Sequence, residues 1–225
     1  MSKLTHTSKS IAGQLDLYED RAKNLYLKWC AQVFNLVDLN NDLSETNILK
    51  INDIGCNYFQ FYKEIKRKKS DIFFNYFGYD IDQDFINLGL KYFPELKDNF
   101  KVCNIEDIQP RKADISIISA TLEHAENPYK LIKNVLMSTS HEVILRTFLG
   151  ADEIIELIQG EIKGEVVISP YYVNQFSLFE MSNLFLENDF IPTLHADKAT
   201  NQSMQYDVSG SGVYRRMYIL VGKKN

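Results

Sequence analysis

The 225-residue sequence has few of the residues that build disulfide frameworks and metal centres. Its three cysteines, Cys30, Cys56 and Cys103, are odd in number and widely spaced, and only four histidines accompany them. No C-x-x-C pair exists, and histidine is sparse around the cysteines. We therefore expect reduced thiols, as in a cytoplasmic protein, and no metal site.

Long apolar runs and an excess of positive charge are also missing. No stretch approaches the ~18 consecutive apolar residues of a membrane-spanning helix, and the first ten residues, MSKLTHTSKS, are too polar for a signal peptide. The 25 basic residues are outnumbered by 30 acidic ones, whereas a nucleic-acid-binding domain normally presents a basic face. The sequence predicts a cytoplasmic protein with neither a membrane segment nor a nucleic-acid partner.

What the sequence does contain is one domain of alternating strands and helices. Residues 1–45 predict a helical cap with one long amphipathic helix over 11–37, residues 46–150 the first half of a sheet, and residues 151–225 its second half. The strands of the first half are predicted at 48–54, 72–79, 100–103, 115–118 and 143–145. Because helical stretches lie between them, we expect right-handed crossovers and a mostly parallel sheet.

The last third of the chain changes pattern. Ser177 and Glu180 form a capping box that begins a helix, and strand-like runs follow at 190–196 and 213–221. No helix separates these two strands, so they must pair antiparallel or leave the sheet. The predicted fold class is therefore α/β, with helices on both faces of a mostly parallel sheet and a C-terminal antiparallel hairpin.

Polar residues follow four predicted strands at their carboxyl ends, where ligands bind in open α/β sheets. Asp53 and Gly55 follow the first strand, and a glycine lets the backbone approach a ligand closely. Asp80 ends the second strand, where its carboxylate can accept both hydroxyls of a ribose or, alternatively, cap the next helix. Asn104 follows the third strand and Ser119 ends the fourth. We expect these side chains to meet at one edge of the sheet.

Three motifs resemble those of class I S-adenosylmethionine (SAM)-dependent methyltransferases. They are D-I-G-C at 53–56, G-Y-D-I-D at 78–82 and L-E-H-A-E-N-P at 122–128. The resemblance covers roughly residues 46–222 and is to small-molecule enzymes, such as ubiquinone-biosynthesis and sugar O-methyltransferases. It implies a Rossmann-like seven-stranded sheet, SAM as cofactor and S-adenosylhomocysteine (SAH) as product. The first half of the sheet would bind the cofactor, and the second half the methyl acceptor.

By this resemblance ten residues contact the cofactor. They are Asp53, Gly55, Cys56, Asn57, Asp80, Ile81, Asn104, Ile105, Ser119 and Arg21. Ile81 would cover one face of the adenine, and Arg21 would meet the cofactor's carboxylate or else lie on the surface. The chain departs from the family at Asn57 and Phe59, where glycine is usual, and at Asn104, where Asp is commoner.

Two histidines that follow strand ends are candidates for a general base, His124 and His195. His124 has a structural role in the L-E-H turn as its alternative, and His195 would be oriented by Asp197. His6 belongs to a polar tail and His141 precedes a strand, so neither is expected at the site.

Polar and aromatic residues of the second half are expected to bind the acceptor, unless the aromatic ones only pack a lid. They are Arg146, Tyr171, Tyr172, Asn174, Tyr206 and Arg215. Arginines beside tyrosines suit a polar acceptor with an anionic part. The predicted function is methyl transfer to an oxygen of a sugar, nucleotide sugar or capsule precursor, or to a phosphoramidate, by analogy with bacteria of AT-rich genomes. The alternatives are an N-methyltransferase and a catalytically silent binding subunit, and a homodimer is compatible with each.

Overall fold

A computed structural model describes residues 6–24, 26–38, 48–68, 73–162, 164–200, 206–207, 210 and 212–225. The main strands are β1 (Ile48–Ile54), β2 (Phe73–Asp80), β3 (Phe100–Val102), β4 (Ala113–Ser119), β5 (Thr139–Gly150), β6 (Phe190–Ala196) and β7 (Met217–Lys224). The helices are α1 (Gln14–Asn24), α2 (Lys28–Leu36), α3 (Gln60–Lys68), α4 (Gln83–Tyr92), α5 (Pro128–Ser138) and α6 (Leu178–Glu187).

The seven main strands form one sheet in the order β6-β7-β5-β4-β1-β2-β3. Strands β1 to β5 pair in parallel, whereas β7 is antiparallel to both β5 and β6. Phe176–Ser177 adds a short parallel pairing to the end of β5. The predicted seven-stranded sheet and its C-terminal hairpin are confirmed. The direction of chain progression reverses between β1 and β4, which makes their carboxyl ends the switch point of the sheet.

Helices cover both faces because neighbouring residues of the central strands are buried on opposite sides. Ile117 packs in a cluster with residues of α2, α3 and α4, whereas Ile118 packs with residues of α5 and α6. Strands buried on both faces read as continuous apolar runs rather than as alternating patterns. This explains why ISII at 115–118 was identifiable as a strand.

The single long helix predicted over 11–37 is wrong, because two helices occupy that range. Leu27 has extended backbone angles (φ -89°, ψ 104°) immediately before α2. Ala22 of α1 packs with Tyr58 and Leu88, while the apolar side of α2 belongs to the core cluster against the sheet. One straight helix could not bury both surfaces, so the chain bends between them.

Some strand limits also differ from the sequence prediction. The fifth strand, predicted at 143–145, runs from Thr139 to Gly150. The last one begins at Met217 rather than at 213, because Tyr214–Arg215 pairs separately with Tyr206–Asp207. No helix in the described part of the chain is long and apolar enough to cross a membrane.

Candidate active site

A cavity of about 200 Å³ opens at the carboxyl ends of β1, β2 and β4 and at the loop after β3. Its lining comes from all the strand ends that the sequence pattern had singled out, and from the N-terminal segment. The lining residues are His6, Tyr18, Ile54, Gly55, Asn57, Tyr79, Asp80, Ile81, Phe85, Cys103, Asn104, Ile105, Glu106, Ala120, Thr121, His124, Ala125 and Leu131.

The loop after β1 keeps a left-handed backbone at residues that are not glycine. Gly55 has φ 73°, Asn57 φ 52° and Phe59 φ 62°. Asn57 stabilises its own turn, since its Oδ1 accepts the backbone N–H of Tyr58 (2.8 Å). Left-handed conformations cost non-glycine residues about 1–2 kcal/mol, and Asn tolerates them best. Asn57 and Phe59 therefore keep the left-handed backbone conformation that glycine would adopt at these two positions.

The ring of Phe59 is fully buried where two glycines make room for it. A Cβ built on Gly89 of α4 would lie 2.6 Å from Phe59 Cδ2, and one on Gly78 of β2 would lie 3.1 Å from Phe59 Cε1. The ring also meets Tyr76 edge-on, at a centroid distance of 6.2 Å. The bulk of Phe59 thus extends between β2 and α4 instead of into the cavity.

Thr121 fastens the end of β4 to the end of β1. A Cβ at Gly55 would lie 2.0 Å from Thr121 Oγ1, so the side chain occupies the space that the glycine leaves. That hydroxyl donates to the carbonyl of Ser119 (3.1 Å) and approaches that of Ile54 (3.3 Å). Ala120 beside it has φ 51°. The tight crossing places Gly55 and Thr121 side by side in the cavity lining.

Asp80 is half-buried, and backbone N–H groups hold its carboxylate in place. Oδ2 accepts from the N–H of Asn57 (2.8 Å) and Oδ1 from that of Asp82 (2.9 Å). Burial raises the pKa of Asp80 to about 6, although these hydrogen bonds oppose the rise. Asp82 itself caps α4, because its side chain accepts from the N–H of Asp84. The carboxylate at the end of β2 is therefore oriented and accessible from the cavity.

Asn104, Ile105 and Ile81 line the part of the cavity that follows β2 and β3. The Oδ1 atom of Asn104 accepts the N–H of Glu106 (3.0 Å) and so begins a short 3-10 helix. Ile105 is buried and Ile81 is half-buried. This part combines apolar surface with one amide, a combination that suits an aromatic base.

Four of the ten predicted cofactor residues do not line the cavity. Asp53 is buried below it and accepts a hydrogen bond from the hydroxyl of Tyr76 (2.6 Å). Cys56 is buried against β2, where a Cβ on Gly78 would lie 2.6 Å from its Sγ. The remaining two are Ser119, whose hydroxyl lies 3.4 Å from Arg146 Nη1, and Arg21, whose guanidinium lies 5.1 Å from the ring centre of Tyr18.

His124 and His195, the two candidate bases, are in different places. His124 lines the cavity, and its Nδ1 donates to the carbonyl of Tyr172 (2.7 Å). His195 lies on β6 in a separate groove beside α2. Asp197, expected to orient His195, is instead the partner of Arg146, at 2.8 Å from Nη2. Of the two candidate bases, only His124 lines the cavity.

Of the predicted acceptor residues, Tyr171 and Tyr172 contact His124. Tyr171 is buried and meets the ring of His124 edge-on at 5.7 Å. Asn174 is buried too, and its Oδ1 has no partner among the described residues. Arg146 is buried in its pair with Asp197, and Arg215 is buried with Nη2 at 2.5 Å from Glu156 Oε2. For Tyr206 only the backbone is described, and its side chain lies outside the described part of the chain.

The cavity residues that the sequence analysis did not assign to the site include Thr121, Tyr18 and His6. Thr121 could have been found, because it lies just after the end of β4, as Gly55 lies just after the end of β1. Tyr18 carries no signal beyond the apolar face of its helix, and His6 stands in a segment without periodicity. Among the described residues, no group of three or more His, Cys, Asp and Glu side chains could hold a metal ion.

The chain has the fold of known methyltransferases. A SAM-dependent methyltransferase from Clostridium acetobutylicum ATCC 824 superposes with a TM-score of 0.61 at 12% identity, over 93% of this chain and 97% of that one. Magnesium protoporphyrin IX methyltransferase from Synechocystis PCC 6803, with bound SAH, gives 0.59 at 12% identity over 95% of each chain. A putative SAM-dependent methyltransferase from Listeria monocytogenes gives 0.60 at 11% identity, over 88% and 98%. No protein-family profile and no curated protein sequence matches the chain.

Proposed function

We propose that this protein is a SAM-dependent methyltransferase that acts on an oxygen of a small polar acceptor. The observation that carries the proposal is the convergence of Gly55, Asp80 and Asn104, from three strand ends, on one cavity at the switch point of the sheet. Nucleotide-like ligands bind at this point in open α/β sheets. The similarity of fold to enzymes that use SAM supports the same assignment.

The lining residues have the chemistry that SAM requires. Each oxygen of Asp80 accepts one backbone N–H and so retains a lone pair for one ribose hydroxyl. Ile81 and Ile105 would pack on the adenine with Asn104 at its edge, while Gly55 and Asn57 would face the methionine end. Bound SAM supplies an electrophilic methyl group on a sulfonium sulfur.

His124 is the residue that would accept the proton of the acceptor hydroxyl. Its Nδ1 is committed to the carbonyl of Tyr172, so the lone pair of the neutral ring is on Nε2. Transfer of the methyl group to the hydroxyl oxygen would break its bond to sulfur, whose electron pair would stay on the departing SAH, and Nε2 of His124 would take the proton that the hydroxyl loses. A positioned general base of this kind contributes typically ~10²–10⁴-fold to the rate.

The surroundings of His124 support a polar acceptor. Tyr171 offers an aromatic edge, and Asn174 has an amide oxygen without a partner among the described residues. Arg146 and Arg215, which suggested an anionic acceptor, are both paired with carboxylates. Arg215 still has Nε and Nη1 as donors that have no partner among the described residues. A sugar, nucleotide sugar or capsule precursor, or a phosphoramidate, remains the proposed class, in a cytoplasmic and bacterial setting.

Isothermal titration with SAM and SAH tests the proposal directly. We expect micromolar or tighter binding by the unaltered chain, and an at least tenfold loss in Asp80→Asn, since a hydrogen bond to a charged group contributes ~1.5–3 kcal/mol. The matched control is Asp98→Asn, an exposed carboxyl remote from the cavity lining. Failure of the unaltered chain to bind either compound would refute the proposal. Unchanged affinity in Asp80→Asn would refute only the ribose assignment.

A catalytically silent binding subunit was an alternative because two loop glycines are replaced. The left-handed backbone at Asn57 and Phe59, and the position of the buried Phe59 ring between β2 and α4, weaken that alternative. Methyl transfer from labelled SAM to any small hydroxyl compound would exclude the silent subunit, and transfer to amines alone would favour the N-methyltransferase.

A further inference from the structure

Residues 6–10 lie beside the cavity and are attached to two different parts of the chain. The backbone N–H of Ser8 donates to Oδ2 of Asp82 (2.5 Å), the residue that caps α4. The carbonyl of Ser10 accepts the N–H of Ile168 (2.8 Å), in the half of the chain assigned to the acceptor. These two attachments bring His6 into the cavity lining, although sequence reasoning had left it in a polar tail.

His6 covers one face of the candidate base. Its ring stacks on His124 with the centroids 4.9 Å apart and an interplanar angle of 25°. Tyr171 meets His6 edge-on at 4.7 Å and His124 edge-on at 5.7 Å. With Nδ1 held by the carbonyl of Tyr172, the imidazole of His124 is confined on a face, at an edge and at one nitrogen.

The stacking ring is uncharged at neutral pH. Burial, and secondarily the neighbouring His124, lower the pKa of His6 to about 3. A hydrogen bond of 2.8 Å joins His6 Nε2 to the side-chain amide of Gln14 on α1. A neutral ring at this position can stack on His124 without opposing the positive charge that His124 gains when it accepts a proton.

We propose that His6 is a positioning residue for His124. The inference rests on the proposed function, in which the acceptor proton passes to Nε2 of His124. A half-turn of the imidazole would exchange nitrogen and carbon atoms and remove the basic nitrogen from its place. Stacking by His6 prevents that rotation, and the hydrogen bond to Gln14 keeps His6 itself in register. Positioning groups must hold a reacting side chain within about 0.5 Å of its productive geometry.

Histidine-selective ¹⁵N labelling tests the proposal without an acceptor or a cofactor, because two-bond ¹H–¹⁵N spectra report the tautomer of each of the four histidines. We expect His124 to show a single Nδ1–H form in the unaltered protein and in His6→Phe, which retains a stacking ring. His6→Ala should show a mixture of tautomers. The control is His195→Ala, since His195 lies in a different groove and should not affect His124.

A single Nδ1–H form of His124 in His6→Ala would overturn the proposal, whatever the outcome of the SAM titrations. SAH titration of the same variants separates the two hypotheses. We expect the affinity of His6→Ala to stay within about twofold of the unaltered chain, and its kcat for an identified acceptor to fall about tenfold with KM unchanged. A loss of SAH affinity with an unchanged kcat would instead make His6 a cofactor ligand and refute the positioning role.

Discussion

At the scale of single residues, two carboxyls lie close to the same cavity, and only that of Asp80 lines it. Asp53 is enclosed with the hydroxyl of Tyr76, and burial raises its pKa to about 7. Asp80 faces the cavity, and burial raises its pKa to about 6. Burial raises the pKa of Asp53 further than that of Asp80, so Asp80 ionises more readily of the two. Asp80 is the carboxylate available to ribose hydroxyls, and Asp53 supports the loop from below.

The pKa of Asp80 predicts how cofactor affinity depends on pH. Ribose hydroxyls donate to the ionised carboxylate, so affinity should be constant well above pH 6 and fall as pH drops through about 6, by up to about tenfold per pH unit. Titration of SAH between pH 5 and 8 measures the profile. Asp80→Asn is the control, because it cannot titrate and should give a flatter profile. A flat profile for the unaltered chain would contradict the assignment.

At the scale of elements, the loop after β1 depends on α4 and β2. Phe59 ends the loop with a left-handed backbone, and its ring needs the space left by Gly78 and Gly89. The three positions form one packing unit, in which glycines outside the loop compensate for the glycine missing within it. The path of the cofactor loop is thus decided by helix packing as well as by its own sequence.

Gly89→Ala tests this packing unit. Alanine favours a helix over glycine by ~1 kcal/mol, yet the added methyl group would collide with the Phe59 ring. Because overpacking a core costs about 1–3 kcal/mol, we expect a net decrease in the free energy of unfolding, measured by urea denaturation. In a Phe59→Leu background the same substitution should be milder, since the ring is gone. Equal effects in the two backgrounds would show that the two positions are not coupled.

At the scale of the whole molecule, a buried ion pair joins β5 to the segment after β6. Arg146 Nη2 lies 2.8 Å from Asp197 Oδ2, with side chains 5% and 0% exposed. Arg146 also donates to Thr200 and stacks near Trp29 of α2. These contacts connect the C-terminal hairpin, the sheet centre and α2, which gives Arg146 a structural role. A role of Arg146 in acceptor binding stays a prediction.

Asp197→Asn should destabilise the protein by about 3–5 kcal/mol, because removal of one partner leaves the buried Arg146 without its counter-charge. Urea denaturation measures the change. The matched control is Lys66→Met, which breaks the exposed pair between Lys66 and Glu95 and should cost at most ~1 kcal/mol. Similar losses in the two variants would contradict the view that Arg146 and Asp197 hold the halves of the fold together.

Local sequence patterns were sufficient to predict the elements whose limits are decided by residues close together in the sequence. The strand at 48–54 was predicted to the residue, and Ser177 caps its helix as the capping box indicates. The bend at Leu27 was not predictable, because α1 and α2 are separated by what they pack against. The expected pair of His195 and Asp197 does not form for the same reason, because Asp197 pairs with Arg146 of β5.

The sequence by itself determined the order of strands and helices, the parallel sheet with its antiparallel end, and the presence of Gly55, Asp80 and Asn104 at strand ends. Periodicity and capping are local properties, and the carboxyl ends of parallel strands necessarily share an edge. Only the tertiary structure decided that Cys56 and Phe59 face away from the cavity and that His6 stacks on His124. Those placements follow from packing between segments far apart in the chain, which no local pattern encodes.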